Sequence, residues 1–430
     1  MSKPLKIAIA GLGTVGAGTV RLLREQADLI ERRAGRPIVV TAVSARDRGR
    51  DRGVSLDGMA WFDDAATMAA QADAEVVVEL IGGADGTARQ VCETAIGKGR
   101  HVVTANKALL AHRGTELAAA AEERGVVLAY EAAVAGGIPI IKALREGLAG
   151  NRLRQVVGIL NGTCNYILTT MRETGRDFGA VLAEAQALGY AEADPSFDID
   201  GVDAAHKLAI LTSVAFGCPV NFPGIHIEGI RHVSALDIQF AEELGYRIKL
   251  LGIARRTEAG IEQRVHPCMV PLSSPIAHVE GVFNAVVAEG DFVGRSFYEG
   301  RGAGAGPTAS AVAADLIDIA AGRRGPTFGV PASQLEPLPA SPMERHRGGY
   351  YIRLMVLDRP GVFADIAAAL RDERVSMEAI LQRARAPGET VPVVMTVHDT
   401  EEAAMMRAVA RISALDAAVE PPRLIRVEML

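Results

Sequence analysis

The chain has 430 residues, enough for two or three domains with a substantial core. Apolar residues make up 49% and charged residues 23%, and the net charge is −6, which excludes a globally basic footprint for nucleic acid. Cys92, Cys164, Cys218 and Cys268 lie far apart without zinc spacing or a disulfide framework, fitting reduced thiols in a cytoplasmic protein, and no apolar run nears the ~20 residues that span a membrane.

Residues 5–10, LKIAIA, fit a buried parallel strand. Gly11-Leu12-Gly13-Thr14-Val15-Gly16 follows, and residues 17–30 carry helical periodicity. Strand, glycine turn and helix in this order are the context of a dinucleotide fingerprint. Gly11 permits the tight turn, Gly13 lets the backbone approach a pyrophosphate, and Gly16 allows close packing of helix on strand. The apolar run is too short and too interrupted for a secretory leader. A second strand at 38–43 ends in Ser44-Ala45-Arg46-Asp47-Arg48. Arginine at this place suits a ribose 2′-phosphate, so Arg46 points to NADP, or to use of both NADP and NAD. Arg48, Arg50 and Arg52 read as a solvated basic loop.

Residues 75–81 read as another buried strand, with glycines 82, 83 and 86 at the end where ligands bind in open α/β sheets. A helix near 87–98 leads to a strand at 101–104. Thr104 and Lys107 then fall on the same rim as the first glycine turn. A strand at 126–130 ends at Glu131, followed by AAVAGGIP. Glycines beside an acid allow a bend whose carbonyls hold a cation, or a plain crossover between domains. A short helix after Pro139 and a strand at 153–160 precede Asn161-Gly162-Thr163-Cys164-Asn165. Cys164 raises the possibility of a thiol nucleophile, yet no histidine carries a local signature tying it to that thiol.

A helix at 178–188 ends at Gly189, and residues 189–207 read GYAEADPSFDIDGVDAAHK. Glu192, Asp194, Asp198, Asp200 and Asp203 stand before Lys207. A helix at 202–216 puts Asp203 and Lys207 at i,i+4 on one face. A lysine beside carboxylates can exchange protons, although an acid-rich helix start also suits the helix dipole. A helix at 234–246 and strands at 247–254, 261–270 and 282–293 follow. A second glycine loop at 300–308 opens a helix at 308–321. Residues 322–346, rich in Pro, Gly and Arg, read as a linker. The remainder follows a βαββαβ order, a ferredoxin-like module.

GLGTVG, TANKALL, EAAVAGGIPII, LNGTCNYIL, the acidic stretch through LAIL, RGAGAGPTASAVAADL and DRPGVFADIAAAL together resemble homoserine dehydrogenase with a C-terminal ACT domain. No kinase segment precedes residue 1, which points to the monofunctional form. The resemblance implies an α/β chain: an NAD(P)-binding Rossmann domain at 1–133, an α+β catalytic and dimerisation domain at 134–321, a linker at 322–346 and a ferredoxin-like ACT domain at 347–430. It implies reversible NAD(P)H-dependent reduction of L-aspartate 4-semialdehyde to L-homoserine in threonine and methionine biosynthesis. Lys207 matches the acid that protonates the new alkoxide, Asp198 a second catalytic acid, and Lys107 an assisting lysine at the cofactor. Glu192 and Asp203 match substrate-holding positions. Gly11, Gly13, Thr14, Val15, Gly16, Arg46, Thr104, Lys107 and Gly302 are the expected cofactor contacts. Glu131, Val134, Gly136 and Ile138 match a sodium site. Asp358, Gly361 and Val362 match an effector turn, with threonine as the implied effector, and a homodimer or homotetramer is expected.

One departure stands out: the family usually carries Thr or Ser where this chain has Cys164. Two other readings remain open at this point, a phosphorylating semialdehyde dehydrogenase using Cys164 and a non-catalytic amino-acid sensor.

Overall fold

The computed structural model describes residues 3–382 and 388–430, whose strands form two sheets. The first half builds β1 (Leu5–Ala10), α1 (Thr14–Glu25), α2 (Ala27–Ala34), β2 (Ile38–Ser44), β3 (Ala60–Phe62), α3 (Ala65–Gln71), β4 (Val76–Glu79), α4 (Thr87–Gly97), β5 (His101–Thr104), α5 (Lys107–Glu123) and β6 (Leu128–Ala129). These strands are parallel in the order β3-β2-β1-β4-β5-β6, the doubly wound arrangement of a dinucleotide-binding domain. Alternation along β1 explains the two helical layers. Leu5, Ile7 and Ile9 join one core with Val20 and Leu23 of α1, whereas Ala8 and Ala10 face Met68, Val91 and Leu110 on the other side.

The central segment builds α6 (Ile140–Lys142), β7 (Leu153–Ile159), α7 (Gly162–Thr174), α8 (Phe178–Ala187), α9 (Ser196–Ile199), α10 (Val202–Phe216), β8 (His226–Ile227), α11 (Ala235–Glu243), β9 (Tyr246–Thr257), β10 (Gly260–Pro271), β11 (Phe283–Gly290), β12 (Gly294–Arg301) and α12 (Ala305–Ala320). The C-terminal segment adds β13 (Arg347–Leu357), α13 (Val362–Asp372), β14 (Met377–Leu381), β15 (Thr390–Glu401), α14 (Glu402–Ser413) and β16 (Arg423–Val427). The second sheet runs β12-β11-β7-β9-β10-β16-β13-β15-β14, with β8 paired to β10. The ferredoxin-like module is thus welded to the catalytic sheet, because β16 pairs in parallel with β10 through Cys268–Arg426 and Met269–Val427.

Several local expectations change in detail. The helix read at 17–30 is broken at Gln26 into α1 and α2. Residues 162–174, unassigned from sequence, form helix α7, capped by the Asn161 side chain on the Cys164 N–H at 2.8 Å. Helix α12 returns to the dinucleotide-binding core, where Val312 and Leu316 are buried beside Ile7 and Val20. Residues 322–346 are not a free spacer. Phe328 is buried against Tyr130 at a ring distance of 5.7 Å, the Tyr130 hydroxyl donates to Thr327 O at 2.7 Å, and Ser341 N donates to Ile261 O at 2.8 Å. Proline-rich composition marks the lack of regular structure there, not a lack of packing.

Candidate active site

The site lies where α5 of the first domain meets α10 of the second, with the C-terminal end of β7 between them. Lys107 is the first residue of α5, set there by the Asn106 side chain, which caps the helix on Leu109 N at 3.0 Å. Asp203 lies in the first turn of α10, one turn before Lys207. The two lysines share Asp203. Lys107 Nζ stands 2.7 Å from Oδ1, and Lys207 Nζ donates to Oδ2 at 2.7 Å. Lys207 also donates to the Leu160 carbonyl at 2.6 Å. An ammonium has three N–H groups, so one remains to serve a ligand. Asp203 is 2% exposed and Lys207 8%.

Burial and charge act against each other here. Desolvation lowers the Lys207 pKa, the Lys107 charge lowers it further, and Asp203 only partly restores it. Lys107 also loses hydration, yet Asp203, Asp198 and Glu192 outweigh that loss and raise its pKa. Asp203 itself is held well below the ordinary carboxylate range, because the two lysines overcome its burial. Asp198, half-buried on α9, is raised by burial and by Asp203. Burial thus makes Lys207 the easier of the two lysines to deprotonate, while Lys107 is held charged. Phe197 lies under Lys107 at 5.8 Å and beside His206. His206 is pushed down to about 4, first by burial and then by His112, so it stays neutral in the wall of the site. Glu192 is exposed at the rim. Asp194 accepts from Ser196 N at 3.1 Å, and Asp200 pairs with Arg231.

The glycine turn has the shape its spacing calls for. Gly11 has φ 97°, and a Cβ there would meet Leu80 O at 2.6 Å; a Cβ on Gly16 would meet Gly11 O at 2.0 Å. At Gly13 a Cβ would meet no protein atom within 4 Å, so the space over that residue is open to a ligand. Thr14 and Val15 open α1, which has no side-chain cap. Gly18 of α1 touches Ala305, bringing the second helix start alongside the first. Gly302 packs against Gly136, where a Cβ would meet Gly302 O at 2.4 Å. These features fit a dinucleotide whose pyrophosphate sits at the two helix starts. Arg46 is exposed two residues beyond β2, whose last carbonyl, Ser44 O, accepts from Gly11 N at 2.9 Å. Thr104 is buried, and its hydroxyl donates to Glu79 at 2.6 Å, so its side chain shapes the rim from beneath.

Glu131 is buried and takes N–H groups from Ile141 and Lys142, each at 2.9 Å. Burial and Asp315 push it up to about 7. The following loop is tightly bent, with Ala135 at φ 54° and Gly136 at φ 48°. Val134 and Ile138 are buried in it. The neighbouring Asp315 accepts from Glu131 N at 2.9 Å and has Lys142 Nζ at 3.5 Å, so both carboxylates already have protein partners and only backbone carbonyls of the loop are left for a cation. A second cluster, His266, Cys268 and Glu428, gathers three donor atoms within 4.8 Å. It is poorly suited to a metal, since Arg264 Nη1 already occupies both His266 Nε2 and Glu428.

Cys164 is fully buried, its thiol pKa is raised by burial and by Asp198, and Sγ lies 3.2 Å from Asp198 O. That is a protonated packing thiol, not a nucleophile. At the other end of the chain, Gly361 caps α13 with φ 94°, and Val362 opens the helix. A cleft of about 510 Å³ beside it is lined by Arg359, Pro360, Val362 and Asp365, with residues 414–417 opposite. Asp358 lies just outside that cleft, its N–H given to Glu389 O at 2.9 Å.

Leu160, Asn161 and Phe197 escape a reading of the sequence, and the structure places them in the first ring around the lysines. An asparagine directly before a helical run is the available signal for Asn161; nothing local marks Leu160.

Three family models match the chain: "Homoserine dehydrogenase, NAD binding domain" over residues 11–131, "Homoserine dehydrogenase" over 139–317 and "ACT domain" over 350–414. The chain is 48% identical to a homoserine dehydrogenase of Neisseria gonorrhoeae over 434 residues, covering 100% of this chain and 99% of that protein. It is also 48% identical to the Pseudomonas aeruginosa protein of the same name, over the whole of both chains. A homoserine dehydrogenase structure from Thiobacillus denitrificans superposes with a TM-score of 0.93 at 48% identity, covering 99% of each chain. A hyperthermophilic archaeal homoserine dehydrogenase in complex with NADPH gives a TM-score of 0.64 at 27% identity, covering 74% of this chain and 97% of that one.

Proposed function

The chain belongs to the homoserine dehydrogenase family, and from that membership we propose how its residues carry the reversible reduction of L-aspartate 4-semialdehyde to L-homoserine. The observation that carries the reading is one buried carboxylate, Asp203, holding both Lys107 and Lys207 at 2.7 Å. The nicotinamide cofactor, when bound, supplies the hydride. As the aldehyde carbon is reduced, charge builds on its oxygen. Lys207 stabilises that charge and delivers the proton, and it takes the proton back in homoserine oxidation. Lys107 remains charged and orients the reacting groups from the cofactor side. Asp198 is the second proton-handling group. Glu192 holds the substrate ammonium, and Asp203 fixes the end bearing the hydroxyl. Gly11, Gly13, Thr14, Val15 and Gly16 would hold the pyrophosphate, with Gly302 contributing from the second glycine loop. Glu131, Val134, Gly136 and Ile138 would hold a sodium ion, mainly through backbone carbonyls.

NADP is favoured, because an exposed arginine, Arg46, follows the end of β2 by two residues and can pair with a 2′-phosphate. The test is semialdehyde-dependent oxidation of NADPH and of NADH, without added phosphate, by the wild-type protein and Arg46→Ala. Both cofactors should turn over in the wild type, NADPH the faster. The substitution should lower kcat/KM for NADPH about tenfold while leaving NADH nearly unchanged, the loss of one charge-assisted contact. An equal effect on both cofactors would remove Arg46 from the site. Phosphate-dependent reduction of NADP⁺ by the semialdehyde, with no oxidation of either reduced cofactor, would reject the reaction itself.

Threonine is proposed to bind the cleft beside α13, its carboxylate at the helix start and Arg359, its ammonium toward Asp365. Arg359→Ala should leave basal turnover intact and move threonine inhibition to at least about tenfold higher concentration. Unchanged inhibition in that variant would place the effector elsewhere. Deleting residues 347–430 is a poor substitute, since it removes Glu428 from the buried Arg264.

A further inference from the structure

We infer that Asn161 is a positioning residue of the reaction, holding the Asp198 and Asp203 carboxylates apart as two separate acceptors beside the lysine pair. The inference rests on the catalytic assignment of Asp198 and Lys207 above. Asn161 is 4% exposed and has every side-chain polar atom committed. Nδ2 donates to Asp198 Oδ1 and to Asp203 Oδ2, each at 2.8 Å, and Oδ1 accepts from Cys164 N at 2.8 Å. The preceding residue, Leu160, gives Lys207 its carbonyl at 2.6 Å. One dipeptide at the end of β7 therefore holds both acids and the lysine paired with Asp203.

The chemistry needs such a donor. Asp198 faces Asp203 and Lys207 from α10, Lys107 from α5 and the Cys164 thiol from α7. Neighbouring carboxylates repel, and one of them tends to take up a proton. Burial and Asp203 already raise Asp198, and the Asn161 hydrogen bond works in the opposite direction. Without that bond Asp198 holds a proton at higher pH and loses the donor that fixes its Oδ1. The amide is the one side-chain group that can donate twice to the acids while its carbonyl still caps a helix.

The cap and the donors can be separated. Asn161→Asp keeps an acceptor for Cys164 N but brings no N–H, whereas Asn161→Ser keeps an N-cap with a single donor. Both full-length proteins would be compared with wild type and Asp198→Asn for kcat, KM, thermal midpoint and the pH profile of homoserine oxidation. Asn161→Asp should lose about tenfold or more in kcat/KM, and the acid limb of its profile should move to higher pH. Asn161→Ser should fall between it and wild type, and it decides the question alone if the aspartate variant does not fold. An acid limb at the wild-type position, with turnover within about threefold of wild type, would overturn the inference. If Asp198→Asn is fully active, the catalytic assignment fails first and this inference falls with it. If Asp198→Asn is impaired while both Asn161 variants behave as wild type, only the inference fails.

Discussion

Lys207→Met is expected to lower kcat for semialdehyde reduction roughly 10²–10⁴-fold, the usual contribution of a positioned general acid. KM should change much less, because the lost interaction strengthens only as charge develops on the substrate oxygen. Methionine keeps most of the side-chain volume, so the packing of α10 against β7 and β9 is preserved. Asp203 does not become an orphan in this variant. It keeps Lys107 on Oδ1 and Asn161 on Oδ2. The loss therefore reports on the ammonium and not on collapse of the site. Turnover within tenfold of wild type would remove Lys207 from the chemistry.

The second large effect is on stability. Arg264→Met should destabilise the protein by about 3–5 kcal/mol, because breaking a buried ion pair leaves Glu262 and Glu428 buried with only weaker partners, His346 at 3.3 Å and Arg255 at 3.8 Å. Arg264 is 0% exposed. It donates to Glu262 at 2.7 Å and to Glu428 at 2.6 Å, and it meets His266 Nε2 at 2.9 Å. Glu262 belongs to β10, while Glu428 lies just past β16, so the arginine ties the catalytic sheet to the ferredoxin-like module. Arg426 does the same from the other strand, bridging Glu402 of α14 and Glu228. An exposed pair serves as the control. Arg256, half-exposed and 3.7 Å from Glu336, should cost no more than about 1 kcal/mol when cut to alanine. Denaturant midpoints of the two variants measure the contrast. Equal midpoints would mean that the seam between the modules contributes little to stability.

The parts of the molecule legible in the sequence are those whose cause is local. GLGTVG between an apolar run and a helical run is one continuous unit; its strand and turn are where the spacing puts them, while its helix starts inside the motif at Thr14 and ends at Glu25. Asp203 and Lys207 are one helical turn apart, so their contact follows from a helix at 202–216. What stays hidden depends on pairing across the chain. Lys107 and Asp203 are 96 residues apart, and nothing near either predicts that they meet. The parallel pairing of β16 with β10 cannot be read from a βαββαβ pattern, which describes the module but not its neighbour. Strand β12 escapes detection because it lies at the sheet edge with much of its surface exposed, which blurs the apolar signal. Asn161 sits in a conspicuous motif, but its two acceptors come from α9 and α10, helices brought to it only by the fold.

The central claim is that Lys207 is the group that exchanges a proton with the substrate oxygen. The most direct test is the pH dependence of homoserine oxidation in the wild-type protein and in Lys207→Met. Oxidation needs Lys207 neutral, and its pKa is lowered below the ordinary lysine value of 10.5 by burial and by Lys107. The wild-type rate should therefore rise with pH through a group titrating below 10.5, above the acid limb set by Asp198, and then level off. The small residual rate of Lys207→Met should lack that rise. A variant that keeps the same rise would contradict the assignment and move the proton transfer to another group.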